Sequence, residues 1–288
     1  MSTLIVAARN EQETIERMLE SVCAQTQPPE AILLGVNATT DNTANLARQF
    51  ANVRTFEYEA AGKARTLNEL LKHCETENVL LADADVILQP KAVETVEEAF
   101  EKGALAVQTA HKYVHTRTNK SRVVPSKFQG GFCAVHLPTA FNIAHSLQIP
   151  LFPEHIINED AYLRTLLFHA QVPIHSISRP LYTHYAPCTI KDTILRQARI
   201  EVGKRQLVSK YPQLFEDEPR ASKISLYAKL YALNKRTNPS RTFFTCARYL
   251  YGVSLSLVAK AIYTHCTITG EWTSPTRKRN LFKGCLEN

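Results

Sequence analysis

Short apolar runs alternate with helical patterns through the first 110 residues, and this alternation constrains the fold more than any other feature of the chain. Leu4–Ala8 (LIVAA) has the character of a buried strand. Residues 11–24 follow, with Ile15, Met18, Leu19 and Val22 at i, i+3, i+4 and i+7, one face of an amphipathic helix. After the break at Pro28-Pro29, Ala31–Val36 (AILLGV) reads as a second strand, and Asp41 stands where it can cap a helix bearing Leu46, Ala47 and Phe50. Val53–Tyr58 is a weaker strand, and residues 64–74 predict a helix with Leu67, Leu70, Leu71 and Cys74 on one side. Asn78–Ala82 is a strand that runs into Asp83-Ala84-Asp85. Pro90 opens a helix with Val93, Val96 and Phe100, and Ala104–Thr109 is a further strand. Strands alternating with helices predict an α/β fold, a mostly parallel sheet flanked by helices. Ligands of such sheets bind at the carboxyl ends of the strands, where the clusters Asn37–Asp41 and Asp83/Asp85 fall.

Beyond residue 110 the pattern is less regular. Gly130-Gly131 follows a basic stretch, a loop holds Pro150 and Pro153, and Asn158-Glu159-Asp160 precedes a helical run, Tyr162–His169. Residues 190–207 read as a helix rich in Arg and Lys. Tyr211-Pro212 and the acidic run at 216–218 mark a boundary, so the expected organisation is a domain over 1–215 and a helical, basic C-terminal extension over 216–288. Charge divides similarly. Residues 1–110 hold nine Lys/Arg and seventeen Asp/Glu, a balance of −8, whereas residues 111–288 hold twenty-five and ten, a balance of +15. A basic half suits nucleic acid, anionic lipid or a phosphorylated substrate. In the extension, Phe243, Ala247, Leu250, Leu257 and Ala261 share a helix face. The eleven uncharged residues between Arg248 and Lys260 are too few to cross a bilayer, but with Arg241, Arg277, Lys278 and Arg279 around them they suit a helix lying in an anionic lipid surface. The seven Cys are scattered without a CxxC pair, which fits a reducing compartment rather than a disulfide framework or zinc site. The expected location is cytoplasmic, peripheral on the inner membrane face, because Leu4–Ala8 is too short for a signal-peptide core.

Asp83-Ala84-Asp85 is the sharpest chemical signal. Two carboxylates at i and i+2 past a strand end can reach one ligand, and carboxylate oxygens are hard ligands for Mg²⁺ or Mn²⁺, ions that often hold a substrate diphosphate as well. Glu159-Asp160 offers one carboxylate to cap the following helix and one to act as a general base. Lys63 and Arg65 follow Gly62 at a helix start and can meet a phosphate, although the upstream glycine of a P-loop is missing and no GxGxxG occurs. Of the ten His, His184, between Tyr182 and Tyr185, is the candidate for a site role.

In order, LIVAARNEQETIERMLESV, NATTDNT, GKARTLNELL, VLLADADVILQP, GGFCAVH and NEDAYLRTLL resemble the family 2 glycosyltransferases of GT-A fold, over roughly residues 3–207. The resemblance implies an inverting, metal-dependent enzyme that moves a sugar from a nucleoside-diphosphate-sugar to an acceptor hydroxyl on a carbohydrate, glycolipid or lipid-linked molecule of the cell envelope, with no nucleic-acid partner. It places Ala8, Asn10, Glu11, Asn37, Lys63, Asn68, Asp83, Ala84 and Asp85 around the donor. Asn37 stands at the position, usually acidic in the family, that contacts the base. Asp85 is implied as the direct ligand of Mg²⁺ or Mn²⁺, with Asp83 and His184 as further candidates. Gly130, Gly131 and Glu159 fall on the acceptor side, and Asp160 matches the catalytic base. The family's Gln-x-x-Arg-Trp has its nearest counterpart at 196–200, where Arg196 and Arg199 are also placed on the acceptor side and Ile200 replaces the Trp, which favours single-sugar transfer over processive synthesis. A nucleotidyltransferase would need a glycine-rich loop after the first strand, which Ala7-Ala8-Arg9-Asn10 lacks. A non-catalytic sugar- or lipid-binding module would have no use for Asp83, Asp85 and Asp160 together.

Overall fold

In the computed structural model, β1 (Ser2–Ala8) lies between β2 (Ala31–Asn37) and β4 (Asn78–Asp83), parallel to both, and β3 (Val53–Tyr58) extends the sheet beyond β2. The structure describes residues 1–185 apart from Arg117 and Gln129, together with Arg196, Arg199, Ile200, Gly203 and residues 206–215. A strand covered on both faces has no polar side to show, so β1 is apolar without alternation from Leu4 onward, and Leu4, Ile5 and Val6 are fully buried. The helix predicted over 11–24 forms as α1 (Ile15–Cys23), and its four spaced apolar residues, Ile15, Met18, Leu19 and Val22, are all buried against the sheet. Each such side chain contributes about 1.5–3 kcal/mol when taken from water.

Between these strands run α2 (Thr43–Ala47) and α3 (Lys63–Leu71). Asp41 accepts hydrogen bonds from the backbone N–H and hydroxyl of Thr43, so it orders the start of α2 as expected, one residue before the capping position at Asn42. After β4 the chain turns through Ala84 and Asp85 into the short β5 (Val86–Leu88) and then α4 (Ala92–Glu101). The buried Gln25 amide ties α1 to α4 by donating to Ser21 and Gln89 carbonyls and accepting from the Val93 N–H.

The less regular stretch begins within the strand expected at Ala104–Thr109, which forms as the first part of β6, and then holds strands that the alternation did not reveal. β6 (Ala106–Val114), β7 (Ser121–Lys127) and β8 (Phe132–His136) are followed by α5 (Leu137–Ser146), α6 (Glu159–His169) and the long β9 (Ile174–Tyr185). The strand order is β3-β2-β1-β4-β8-β6-β9-β5, with β7 on the other side of β6. The leading four strands are parallel, as βαβ connections require, whereas β8, β7 and β5 pair antiparallel. β9 runs parallel to β6 and carries Tyr182 and His184 opposite His111 and Tyr113.

A first compact unit holds residues 1–190, and a second begins at Lys191. Within the second, Arg196, Arg199 and Ile200 are helical, as expected of 190–207, and Leu207, Tyr211 and Leu214 are buried. The expected boundary at 215/216 and the membrane-facing helix of 240–288 lie outside the described residues. Among the described residues no helix is long and apolar enough to cross a membrane.

Candidate active site

The carboxyl ends of β1, β2 and β4 meet the first turns of α3 and α6, and the candidate residues of the first 185 positions gather there. At the outer end, the loops after β1 and β2 are sewn together. The backbone N–H groups of Asn10, Glu11 and Gln12 donate to Thr39, Thr43 and Asp41 side chains, and the Thr40 N–H donates to Asn10 Oδ1. Asn10 and Ala38 both take left-handed backbone conformations, φ +55° and +42°, which turn the two loops toward each other. The buried Asn37 is occupied by the scaffold: Nδ2 donates to the Ala8 carbonyl at 3.1 Å, and Oδ1 accepts from the Gly62 N–H at 3.3 Å. An amide can satisfy both groups because it offers a donor and an acceptor; a carboxylate offers only acceptors.

At the centre stands Lys63, the first residue of α3. Its ammonium lies 2.5 Å from Asp83 Oδ1 and 2.5 Å from Glu159 Oε1. Burial works against the charged lysine, but the two carboxylates outweigh it and hold Lys63 well above the ordinary lysine range. Glu159 is pushed up by burial, opposed by Lys63 and reinforced by the neighbouring Asp160 and Asp83. The structure therefore places Lys63 between two carboxylates. Asn68, one turn further along α3, donates to the Phe152 carbonyl at 2.7 Å and fixes the loop that holds Pro150 and Pro153.

Asp160 sits in the first turn of α6. Oδ1 accepts from the N–H of Ala161 at 2.7 Å, and Oδ2 from the N–H of Gly130 at 2.5 Å. Of the acidic pair it is therefore Asp160 that meets the helix start, while Glu159 meets Lys63. Oxygen lone pairs remain for a substrate hydroxyl, since each carboxylate oxygen accepts more than one bond. Gly130 and Gly131 let these groups converge. A methyl on Gly130 would sit 2.8 Å from Asp83 Oδ2, and one on Gly131, at φ +113°, would overlap the Tyr182 ring. Lys63, Asp83, Gly130, Glu159 and Asp160 share a cleft floored by Cys133, whose thiol is pushed up by burial and by nearby Asp160 and Asp83.

Beyond Ala84, Asp85 Oδ2 lies 3.8 Å from His184 Nε2. A carboxylate oxygen and an imidazole nitrogen suit a divalent ion such as Mn²⁺. Among the described residues no group of three or more His, Cys, Asp or Glu is arranged to hold a metal. Asp85 and His184 thus fit an ion that takes its remaining ligands from a diphosphate and water, the usual pattern where a cation accompanies a phosphate substrate. The sequence singled out His184 but missed its neighbours Tyr182 and His111. The two-residue spacings His111/Tyr113 and Tyr182/His184 were the available signal, since such pairs share one strand face. Arg196 and Arg199 belong to the second unit.

The model of glycosyl transferase family 2 matches residues 3–151, just over half of the chain. The 4,4'-diaponeurosporenoate glycosyltransferase of Staphylococcus aureus (strain bovine RF122 / ET3-1) is 30% identical over 143 residues, which cover 46% of this chain and 35% of that protein. The chain thus aligns with about a third of the length of the curated relatives it matches. Among solved structures, a mannosyltransferase from Pyrobaculum calidifontis in complex with GDP-Man and Mn²⁺ superposes with a TM-score of 0.57 at 18% identity, covering 91% of this chain and 83% of that one. S. aureus TarS 1-349 in complex with UDP-GlcNAc gives 0.53 at 17% identity, covering 81% and 78%. Glucosyl-3-phosphoglycerate synthase from Mycobacterium tuberculosis, in complex with Mn²⁺, UDP and glucosyl-3-phosphoglycerate, gives 0.54 at 15% identity, covering 73% and 79%. These likenesses establish the GT-A fold.

Proposed function

The chain belongs to glycosyl transferase family 2, and from that premise we propose that it is an inverting, metal-dependent glycosyltransferase that moves a sugar from a nucleoside diphosphate to an acceptor hydroxyl. One observation carries the reading: Asp160, bonded to the Gly130 N–H, shares a cleft with the Lys63–Asp83–Glu159 cluster, and Asp85, paired with His184, follows Asp83 by two residues at the carboxyl end of β4. Asp85 and His184 would hold Mg²⁺ or Mn²⁺, which when bound neutralises charge on a leaving diphosphate. The sewn loops of Asn10–Asp41 would take the nucleoside. Asp160 accepts the acceptor hydroxyl's proton, the acceptor oxygen bonds to the anomeric carbon, and the bond from that carbon to the diphosphate oxygen breaks on the opposite face, inverting the centre. Lys63 holds Asp83 and Glu159 in place, so that their negative charge does not repel an incoming diphosphate unscreened.

Several supports are sequence patterns alone. They are the catalytic domain over 1–215, the basic extension over 216–288 that would rest on an anionic membrane, a lipid-linked or envelope acceptor, and Arg196 and Arg199 on the acceptor side. Thermal denaturation with UDP- and GDP-sugars tests donor binding. A ligand at a hundred times its dissociation constant adds about 2.7 kcal/mol of stability, so one donor in Mn²⁺ should raise the midpoint by several degrees. No shift with any nucleotide sugar, in Mn²⁺ or Mg²⁺, would defeat the proposal.

A further inference from the structure

We propose that Tyr182, braced by His111, is a positioning residue that orients the Asp160 carboxylate through the backbone of Gly130; the inference rests on the reading of Asp160 as the base. Gly130 is held from both sides. Its N–H donates to Asp160 Oδ2 at 2.5 Å, and its carbonyl accepts from the Tyr182 hydroxyl at 3.4 Å. Glycine's wide φ/ψ range leaves the two peptide planes that meet at Gly130 loosely tied to each other, so the contacts on its N–H and on its carbonyl together hold the loop. The next carbonyl, of Gly131, accepts from the Asp83 N–H at 3.1 Å, so the loop is also tied to the end of β4.

Tyr182 is well suited to act as a fixed strut. It is 1% exposed, its ring lies where any side chain on Gly131 would have to go, and it stacks on the buried His111 with ring centroids 4.9 Å apart. His111 Nδ1 stands 3.2 Å from the Tyr182 hydroxyl. A phenol has one proton. For Tyr182 to donate it to Gly130, His111 must carry its own proton on Nδ1 and donate to the phenol oxygen. The row therefore runs in one sense, from His111 to Tyr182 to the Gly130 carbonyl, with the Gly130 N–H passing on to Asp160. The strand register makes this possible, since β6 and β9 place His111 directly opposite Tyr182.

The test uses full-length Tyr182→Phe, which keeps the ring and removes the hydroxyl. With ¹⁵N-glycine labelling, the chain's nine glycines give a sparse spectrum in which Gly130 is assigned by Gly130→Ala. The bond to the Asp160 carboxylate places the Gly130 amide proton downfield, and Tyr182→Phe should move it upfield. On the donor that the wild type turns over, kcat should fall roughly tenfold with donor affinity unchanged, because a misplaced base costs rate rather than binding. In an Asp160→Asn background, Tyr182→Phe should cost nothing further. An unmoved Gly130 amide, or an equal tenfold loss in both backgrounds, overturns the positioning role. Wild-type kcat in Asp160→Asn alone would instead overturn the base reading and leave the amide shift to stand by itself. Should Tyr182→Phe not fold, His111→Phe, which keeps the stack but lacks Nδ1, carries the same two readouts; an unmoved amide there overturns the proposal.

Discussion

Replacing Lys63 with Met should destabilise the protein in a way that depends on pH. The lysine ammonium stands 2.5 Å from both Asp83 and Glu159, and methionine fills similar space without charge. Removing one partner of a fully buried ion pair costs about 3–5 kcal/mol. Here the Lys63 and Asp83 side chains are 35% and 31% exposed and Glu159 is 9% exposed, so solvent screens part of the loss and about 1–3 kcal/mol is expected. With a urea slope of about 2–3 kcal/mol per M, the unfolding midpoint should drop by roughly 0.3–1.5 M near pH 8. The pH dependence comes from Glu159. Burial, Asp160 and Asp83 already raise its pKa, and Lys63 opposes them, so the variant raises it further. A carboxyl with a raised folded pKa binds more protons folded than unfolded, so it costs stability above that pKa and the cost fades as pH falls through it. Lys63 itself stays charged in this window: its folded pKa is raised, so its contribution is complete below the ordinary lysine value and is lost only at more alkaline pH. The deficit of Lys63→Met should therefore shrink between pH 8 and pH 5. Equal deficits at both pH values, or one below about 0.5 kcal/mol at pH 8, would refute the account of this cluster.

Other consequences follow from the same geometry. Gly131→Ala, at φ +113° and against the Tyr182 ring, should cost about 2–4 kcal/mol in urea denaturation through strain and overpacking. Asn37→Asp should lower the thermal midpoint, since an acceptor then faces the Ala8 carbonyl where the amide donated; a loss of about 1–3 kcal/mol is expected, and an unchanged midpoint would show that Asn37 does not clamp these loops. His184→Ala should bring donor affinity in Mn²⁺ down toward its value in chelator, measured by calorimetry, and leave the unfolding midpoint of the ligand-free protein nearly unchanged.

Much of this was legible in the sequence where one periodicity governed a whole element. β1 and α1 announce themselves because a strand buried on both faces must be wholly apolar and a helix on a sheet must space its apolar residues by three and four. The strands after residue 105 were not legible beyond Ala104–Thr109. β6 carries His111 and Tyr113 on one face, polar and aromatic groups that pack on Tyr182 and His184 of β9, so hydropathy shows no clean alternation there. Asp85, Asp160 and His184 were found as residue types, but the partner of Lys63 was not. Nothing in the spacing of Lys63, Asp83 and Glu159 requires one ammonium to meet carboxylates from two other elements; only the crossing of α3, β4 and α6 does. The contacts of Asn37 were equally hidden: its amide joins the ends of β1 and β2 to the start of α3, and no spacing in the sequence requires that.

The central claim is that Asp160 and the Asp85–His184 pair form one active site for sugar transfer from a nucleotide. Nucleoside diphosphate released from UDP- and GDP-sugars, with Mn²⁺ or with chelator, compared between the wild type and Asp160→Asn, tests it most directly. The account predicts release from one donor in Mn²⁺, little in chelator, and a fall of roughly 10²–10⁴-fold in Asp160→Asn with the donor still bound. Release that is indifferent to chelator and undiminished in Asp160→Asn would contradict it.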